Sequence, residues 1–220
     1  MQFFLDSAEV GEIAYALERW DIGGVTTNPR HVQAAGKPFL QVIREIGRLV
    51  EGTDKTVSVE VSPHLDDWEA MVAEGERLAA MSPNFVVKIH CVEPAFRAVR
   101  ELKARGIRTN VTLVFSATQG LQAMRSGAFY ISPFIGWKEA NAEETRGFIE
   151  DLVDMRENYD FPTQILVAAV RNGRQIADAA VAGADIVTCG FAVYKEAFDH
   201  PYTRDGLAKF QSFWDKTPFE

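Results

Sequence analysis

Eight short runs rich in β-branched residues recur along the 220-residue chain, and longer amphipathic stretches lie between them. The runs are QFFLDS, GGVTTNP, TVSVEVS, FVVKIH, RTNVTLV, AFYISPF, QILVAAV and DIVTCGF. The stretch EPAFRAVRELKARGI is typical of the segments between them. Phe96, Val99 and Leu102 share one helical face, charges lie opposite, Gly106 marks the end, and a strand follows at once. Alternating strands and helices predict a parallel sheet. Eight such units, with no Pro-, Gly- or Ser-rich linker among them, predict a closed (β/α)8 barrel of the TIM type more than an open doubly wound sheet. The length suits one core, so residues 1–220 read as a single domain. SGAF and AGAD, before the sixth and eighth strands, repeat one helix-end glycine device and are faint echoes of a repeated βα unit.

In a closed barrel, chemistry belongs where strands end and the loops to the helices begin. The polar residues at those ends are Asp6, Thr26 with Asn28, Glu60, Lys88 with His90, Asn110 with Thr112, Ser132 with Trp137, and Arg171 with Asn172. A polar residue at such a place can simply cap the next helix. Lys88 is harder to dismiss, because FVVKIH otherwise reads as a strand buried on both sides. An isolated ammonium is costly in a dry interior, and burial favours the neutral amine, which is the nucleophilic form. A neutral amine attacks a carbonyl to give a Schiff base, whose protonated nitrogen then serves as electron sink for breaking an adjacent C–C bond. Protons must be moved at the carbinolamine and at the substrate hydroxyl, and Glu60 and Asp6, ending the third and first strands, suit that task. The competing reading is a buried Lys88–Glu60 ion pair with no further role.

Other classes of function fit poorly. A formal net charge of -8 and a pI near 5.1 leave no broad basic surface for nucleic acid or an anionic membrane, so a small-molecule partner is expected. Two cysteines, Cys91 and Cys189, make neither a disulfide framework nor a zinc site. The opening MQFFLDSAEV lacks a basic leader, and no apolar run approaches the roughly 20 residues of a membrane span, so a soluble cytoplasmic protein is expected. His31, His64 and His200 have no carboxylate at helical spacing that would suggest metal ligation, and neither metal nor cofactor is predicted.

Five segments together resemble one family. FLDSAEV, GGVTTNP, FVVKIH, NVTLVFSATQG and ISPFIG, in that order along nearly the whole chain, resemble the transaldolase family in its short branch, which includes fructose-6-phosphate aldolase. The resemblance implies a (β/α)8 barrel and makes Lys88 the Schiff-base lysine. It implies that Asp6 and Asn28 contact substrate hydroxyls and a relay water that Thr112 positions, with Thr27 and Asn110 among the substrate-binding residues. Transaldolases of the family carry glutamate on the third strand and phenylalanine after the sixth-strand proline, where the aldolases carry glutamine and tyrosine. Glu60 and Phe134 match the transaldolases. Transfer of a dihydroxyacetone unit to an acceptor aldehyde is therefore expected. An aldolase that releases free dihydroxyacetone and a non-catalytic barrel scaffold are the alternatives.

The end of the site that would hold a substrate anion departs from the family pattern. An arginine after the sixth strand and a serine on the seventh are replaced by Trp137 and Ala169, while the cation Arg171 remains. Arg30 follows TTNP where small residues are frequent, and His90 stands where proline is common. Arg30 reads either as a surface arginine or as an anion ligand, and His90 either as a structural histidine or as a substrate contact. An indole N–H with Arg171, Arg30 and His90 suits a singly charged tetrahedral anion, which a sulfonate is. In this respect the sequence resembles the transaldolases of sulfosugar breakdown, with ordinary sugar phosphates as the alternative substrates. GADIVTCGF resembles a phosphate-binding loop, but a tight barrel corner is preferred, with Cys189 as a small core residue. In the tail, residues 202–220, Phe210, Phe213 and Trp214 fall at helical spacing. The resemblance implies that this helix packs on a neighbouring subunit, in a homo-oligomer of five or ten copies.

Overall fold

The computed structural model describes residues 1–219. Its eight strands are β1 (Gln2–Asp6), β2 (Gly24–Thr26), β3 (Thr56–Glu60), β4 (Phe85–His90), β5 (Thr109–Val114), β6 (Tyr130–Pro133), β7 (Gln164–Val170) and β8 (Ile186–Cys189). Each pairs in parallel with its sequence neighbour, and β1 closes the barrel on β8 through Gln2↔Ile186 to Leu5↔Cys189. All eight predicted strands are present. Eight helices wrap the barrel: α1 (Val10–Arg19), α3 (Phe39–Leu49), α4 (Trp68–Ala79), α5 (Glu93–Ala104), α6 (Ala117–Ser126), α8 (Arg146–Asn158), α9 (Gly173–Val181) and α10 (Phe191–Phe198). Three further helices are α2 (Pro29–Ala34) and α7 (Ile135–Ala140), short turns after β2 and β6, and α11 (Pro201–Trp214).

Strand alternation sorts the side chains into two compartments. On β4, Val87 and Ile89 join the large core between strands and helices, while Val86 faces the barrel interior with Phe4, Tyr130, Leu166 and Ile186. Lys88 is on the same side as Val86 and so also points inward. That answers why FVVKIH holds a charge: the interior is apolar only in its lower layer. Above it lie Thr26, Ser58, Asn110, Ser132 and Thr188, all buried. Ser132 Oγ donates to Asn110 Oδ1 at 2.8 Å, and Asn110 Nδ2 donates to Ser58 Oγ at 3.0 Å, so these buried polar groups satisfy one another.

Two strands bulge near their C-terminal ends. The register slips between Val111 and Val114 on β5 and between Val167 and Val170 on β7. Each bulge contains a non-glycine residue in the left-handed region, Leu113 at φ 60° and Ala169 at φ 58°. That conformation costs roughly 1–2 kcal/mol for an L-residue, and bulges of this kind gather near active sites, where they re-aim side chains.

Candidate active site

The strand ends and following loops surround a cavity of about 640 Å3. Ten of the thirteen residues singled out from sequence line it: Asp6, Asn28, Arg30, Glu60, Lys88, Thr112, Phe134, Trp137, Ala169 and Arg171. Thr27, His90 and Asn110 are not on its wall. Thr27 contributes from behind, its carbonyl oxygen accepting from Lys88 Nζ at 2.9 Å while its hydroxyl donates to the Ser58 carbonyl at 2.8 Å. Asn110 is sealed beneath the cavity in the Ser58–Ser132 network. His90 is the register partner of Thr112, and its Nδ1 is buried without a hydrogen-bond partner among the described residues.

Lys88 is 4% exposed and Glu60 Oε2 lies 3.2 Å from its Nζ. The pairing follows from register, because β3 and β4 set Glu60 directly opposite Lys88. Thr112 Oγ1, on the next strand, is buried with no hydrogen-bond partner among the described residues. A buried hydroxyl left unpaired is costly, and here it borders the cavity, where a bound molecule can satisfy it.

Asp6 is the second carboxylate. Its Oδ1 accepts from Thr26 Oγ1 at 2.8 Å, Asn28 Nδ2 lies 3.4 Å from both oxygens, and His31 Nε2 lies 3.0 Å from Oδ2. Burial pushes this carboxyl up, but the hydrogen bond and charge of His31, the charge of Lys88 and the Thr26 hydroxyl outweigh it and hold Asp6 below the usual carboxylate value. Asp6 is therefore an acceptor at neutral pH. His31 is the residue that sequence reasoning missed. Spacing along a helix tests it only as a metal ligand, whereas its partner lies 25 residues earlier, at the end of β1.

The far wall is built by α7 and the β7 bulge. Phe134 and Trp137 pack edge-on at 5.8 Å, with Phe115 5.7 Å from each. Gly136 is there because nothing larger fits: a Cβ on it would stand 2.1 Å from the Ala169 carbonyl oxygen and 3.0 Å from Arg171 Nε. Gly136→Ala is expected to cost about 1–3 kcal/mol through overpacking and to move Trp137 and Arg171 together. Thermal unfolding should fall by several degrees and kcat/KM should drop; an unchanged melting curve would show that the two segments separate freely. Neither Arg30 nor Arg171 joins an ion pair among the described residues. Cys189 and Gly190 line the same cavity, and Gly190 has an ordinary φ of -67° as N-cap of α10.

Comparison with known proteins gives one answer at the level of family. A relative from Priestia megaterium (strain ATCC 12872 / QMB1551), named 6-deoxy-6-sulfo-D-fructose transaldolase, is 53% identical over 221 residues, covering 100% of this chain and 98% of its own. A second, named "Probable transaldolase", from Aquifex aeolicus (strain VF5), is 43% identical over 218 residues, covering 99% of this chain and 98% of its own. Among solved structures, thiamine phosphate pyrophosphorylase from Pyrococcus furiosus superposes with a TM-score of 0.62 at 13% identity, over 89% of this chain and 93% of its own, a likeness of fold alone. The sequence model described as Transaldolase/Fructose-6-phosphate aldolase matches residues 3–218, and with the buried Lys88–Glu60 pair at the mouth of an eight-stranded barrel, the chain belongs to that family.

Proposed function

We propose that the protein is a Schiff-base transaldolase that takes a dihydroxyacetone unit from 6-deoxy-6-sulfofructose, releases 3-sulfolactaldehyde, and passes the unit to glyceraldehyde 3-phosphate. Lys88 Nζ adds to the ketone carbon, and loss of water from the carbinolamine gives the iminium. Glu60, 3.2 Å from Nζ, exchanges the protons of that step. Asp6, held ionised, accepts the proton of the hydroxyl next to the scissile bond. The C–C bond then breaks, its electron pair passing into the iminium to form an enamine while the released fragment leaves as an aldehyde. The enamine attacks the acceptor aldehyde by the reverse of these steps, and water frees Lys88. No cofactor is required, because the iminium itself is the electron sink. Phe134 offers no hydroxyl to protonate the enamine, which favours transfer over release of free dihydroxyacetone.

The observation that carries the substrate reading is the make-up of the cavity's anion end: Trp137, whose one polar group is an uncharged N–H donor, and Ala169, which has none, line the wall beside Arg30 and Arg171. That set suits a sulfonate, a monoanion with three acceptor oxygens, better than a dianion that calls for a further cation and hydroxyl. A phosphate monoester, with a second pKa of roughly 6, is mostly a dianion at neutral pH. The Priestia relative's name points the same way. The test is kcat/KM for sulfofructose and fructose 6-phosphate side by side, each with an acceptor aldehyde. The sulfonate is expected to be preferred, and a clear preference for the phosphate rejects the reading. Trp137→Arg with Ala169→Ser, which adds a bidentate cation and a hydroxyl, should shift the ratio toward phosphate by at least about tenfold, equivalent to ~1.4 kcal/mol.

The enzyme acts in the cytoplasm as a homo-oligomer, a ring of five or two stacked rings. Support comes from two cysteines left as free thiols, from the lack of any helix among the described residues long and apolar enough to cross a membrane, and from α11, none of whose residues is buried. Of the tail at 202–220, Glu220 lies outside the described residues.

A further inference from the structure

We propose that His31 is a positioning residue that docks the first turn of α2 onto Asp6 and thereby sets Arg30 over the cavity. The inference rests on the reading of Arg30 as a ligand of the substrate's terminal anion. The helix has only six residues and none of them is buried; Val32 is only partly covered by the core. A helix this short does not hold itself together, so its place is set by what it touches. Two contacts hold its first turn to the barrel. Asn28 caps it, its Oδ1 accepting from the His31 backbone N–H at 3.2 Å while its Nδ2 turns toward Asp6. The His31 side chain then returns to the same carboxylate, Nε2 to Oδ2 at 3.0 Å.

The roles in this contact are fixed by chemistry. An ionised carboxylate has no proton to give, so Nε2–H donates. Asp6 is anchored to β2 by the Thr26 hydroxyl and closes β1, a rigid barrel strand, so the moving partner is α2. Arg30 is the residue just before His31 and is exposed over the cavity with no ion pair among the described residues to hold it, so its position is that of the turn. One imidazole thus joins the reaction end of the site, through Asp6, to the anion end, through Arg30.

The test compares His31→Leu with His31→Gln, whose amide N–H can replace the imidazole donor. Hydrogen exchange of the full chain reads the docking directly. Amides of residues 30–36 should exchange at least about tenfold faster in His31→Leu and near the wild-type rate in His31→Gln. Equal exchange in Leu and wild type overturns the proposal whatever the activity. The second readout is the ratio of kcat/KM for sulfofructose to that for uncharged fructose, in which effects felt through Asp6 cancel. His31→Leu should lower that ratio by about tenfold, His31→Gln by less than about threefold, and His31→Leu made in an Arg30→Ala background should lower it no further. Additive losses in the double variant, or equal losses in Leu and Gln, overturn the coupling to Arg30. If Arg30→Ala alone leaves the ratio unchanged, the reading of Arg30 falls, and with it that coupling, while the exchange data still decide the docking.

Discussion

Lys88→Ala is expected to lower turnover at least about 10⁴-fold, the order of loss seen when a covalent nucleophile is removed, and to abolish adduct formation. The measurement is borohydride reduction in the presence of the ketose, followed by intact mass. Wild type should gain one reduced three-carbon unit, and the variant none. The alanine variant leaves Glu60 buried beside an empty space, and breaking a buried pair costs about 3–5 kcal/mol, so instability could imitate loss of chemistry. Lys88→Met separates the two, since it keeps the stem and removes the amine. A Lys88→Met protein that melts near wild type yet forms no adduct locates the nucleophile. Glu60→Gln should behave differently. It retains the adduct, because Lys88 keeps its amine and its contact to the Thr27 carbonyl, but it slows transfer by about 10²–10⁴-fold through loss of proton exchange. Full activity in either Lys88 variant would sink the mechanism.

The fold was legible because the barrel repeats itself. Each strand needs two buried faces, which β-branched runs supply, and each helix needs one, which the stripe of Phe96, Val99 and Leu102 illustrates. Lys88 stood out for the same reason, as a charge where the pattern demands an apolar side chain. What stayed hidden depends on backbone geometry or on distant partners. The Thr27 carbonyl that receives Lys88 is a group every residue has, so no letter marks it. Leu113 and Ala169 adopt left-handed backbone without the glycine that usually signals it, so neither bulge is marked by the residue that adopts the strained conformation. Gly136 is the indirect trace of one of them, a glycine required by a neighbour's carbonyl rather than by its own φ. His90 shares the inward side of β4 with Lys88 by alternation, yet it is not part of the cavity wall, because alternation gives the side of a strand and not how far the pocket extends along it.

Ending the chain at His200 is expected to leave a folded barrel that no longer assembles. The helix α11 follows the barrel, and its Leu207, Phe210 and Trp214 lie on one stripe, with Tyr202 and Phe213 along its edge. These five side chains are between 56% and 80% exposed. A stripe this apolar and continuous is unusual on a free surface, and a second copy of the chain is the occupant we favour. The magnitudes explain why one helix would matter. Buried aromatic side chains remove about 150–250 Å2 each, so the stripe offers on the order of 600 Å2, or ~15 kcal/mol gross at about 25 cal/mol per Å2. Association costs about 4–15 kcal/mol, so a single such contact is near break-even, and a closed ring, in which every subunit makes it twice, is favoured over an isolated pair. Because no α11 residue is buried in its own barrel, its removal should leave the melting of the isolated subunit nearly unchanged. Light scattering should then fall from the mass of a multimer to that of one chain. A truncated protein of unchanged size would assign the helix some other role, and a truncated protein that unfolds would show that α11 supports its own barrel.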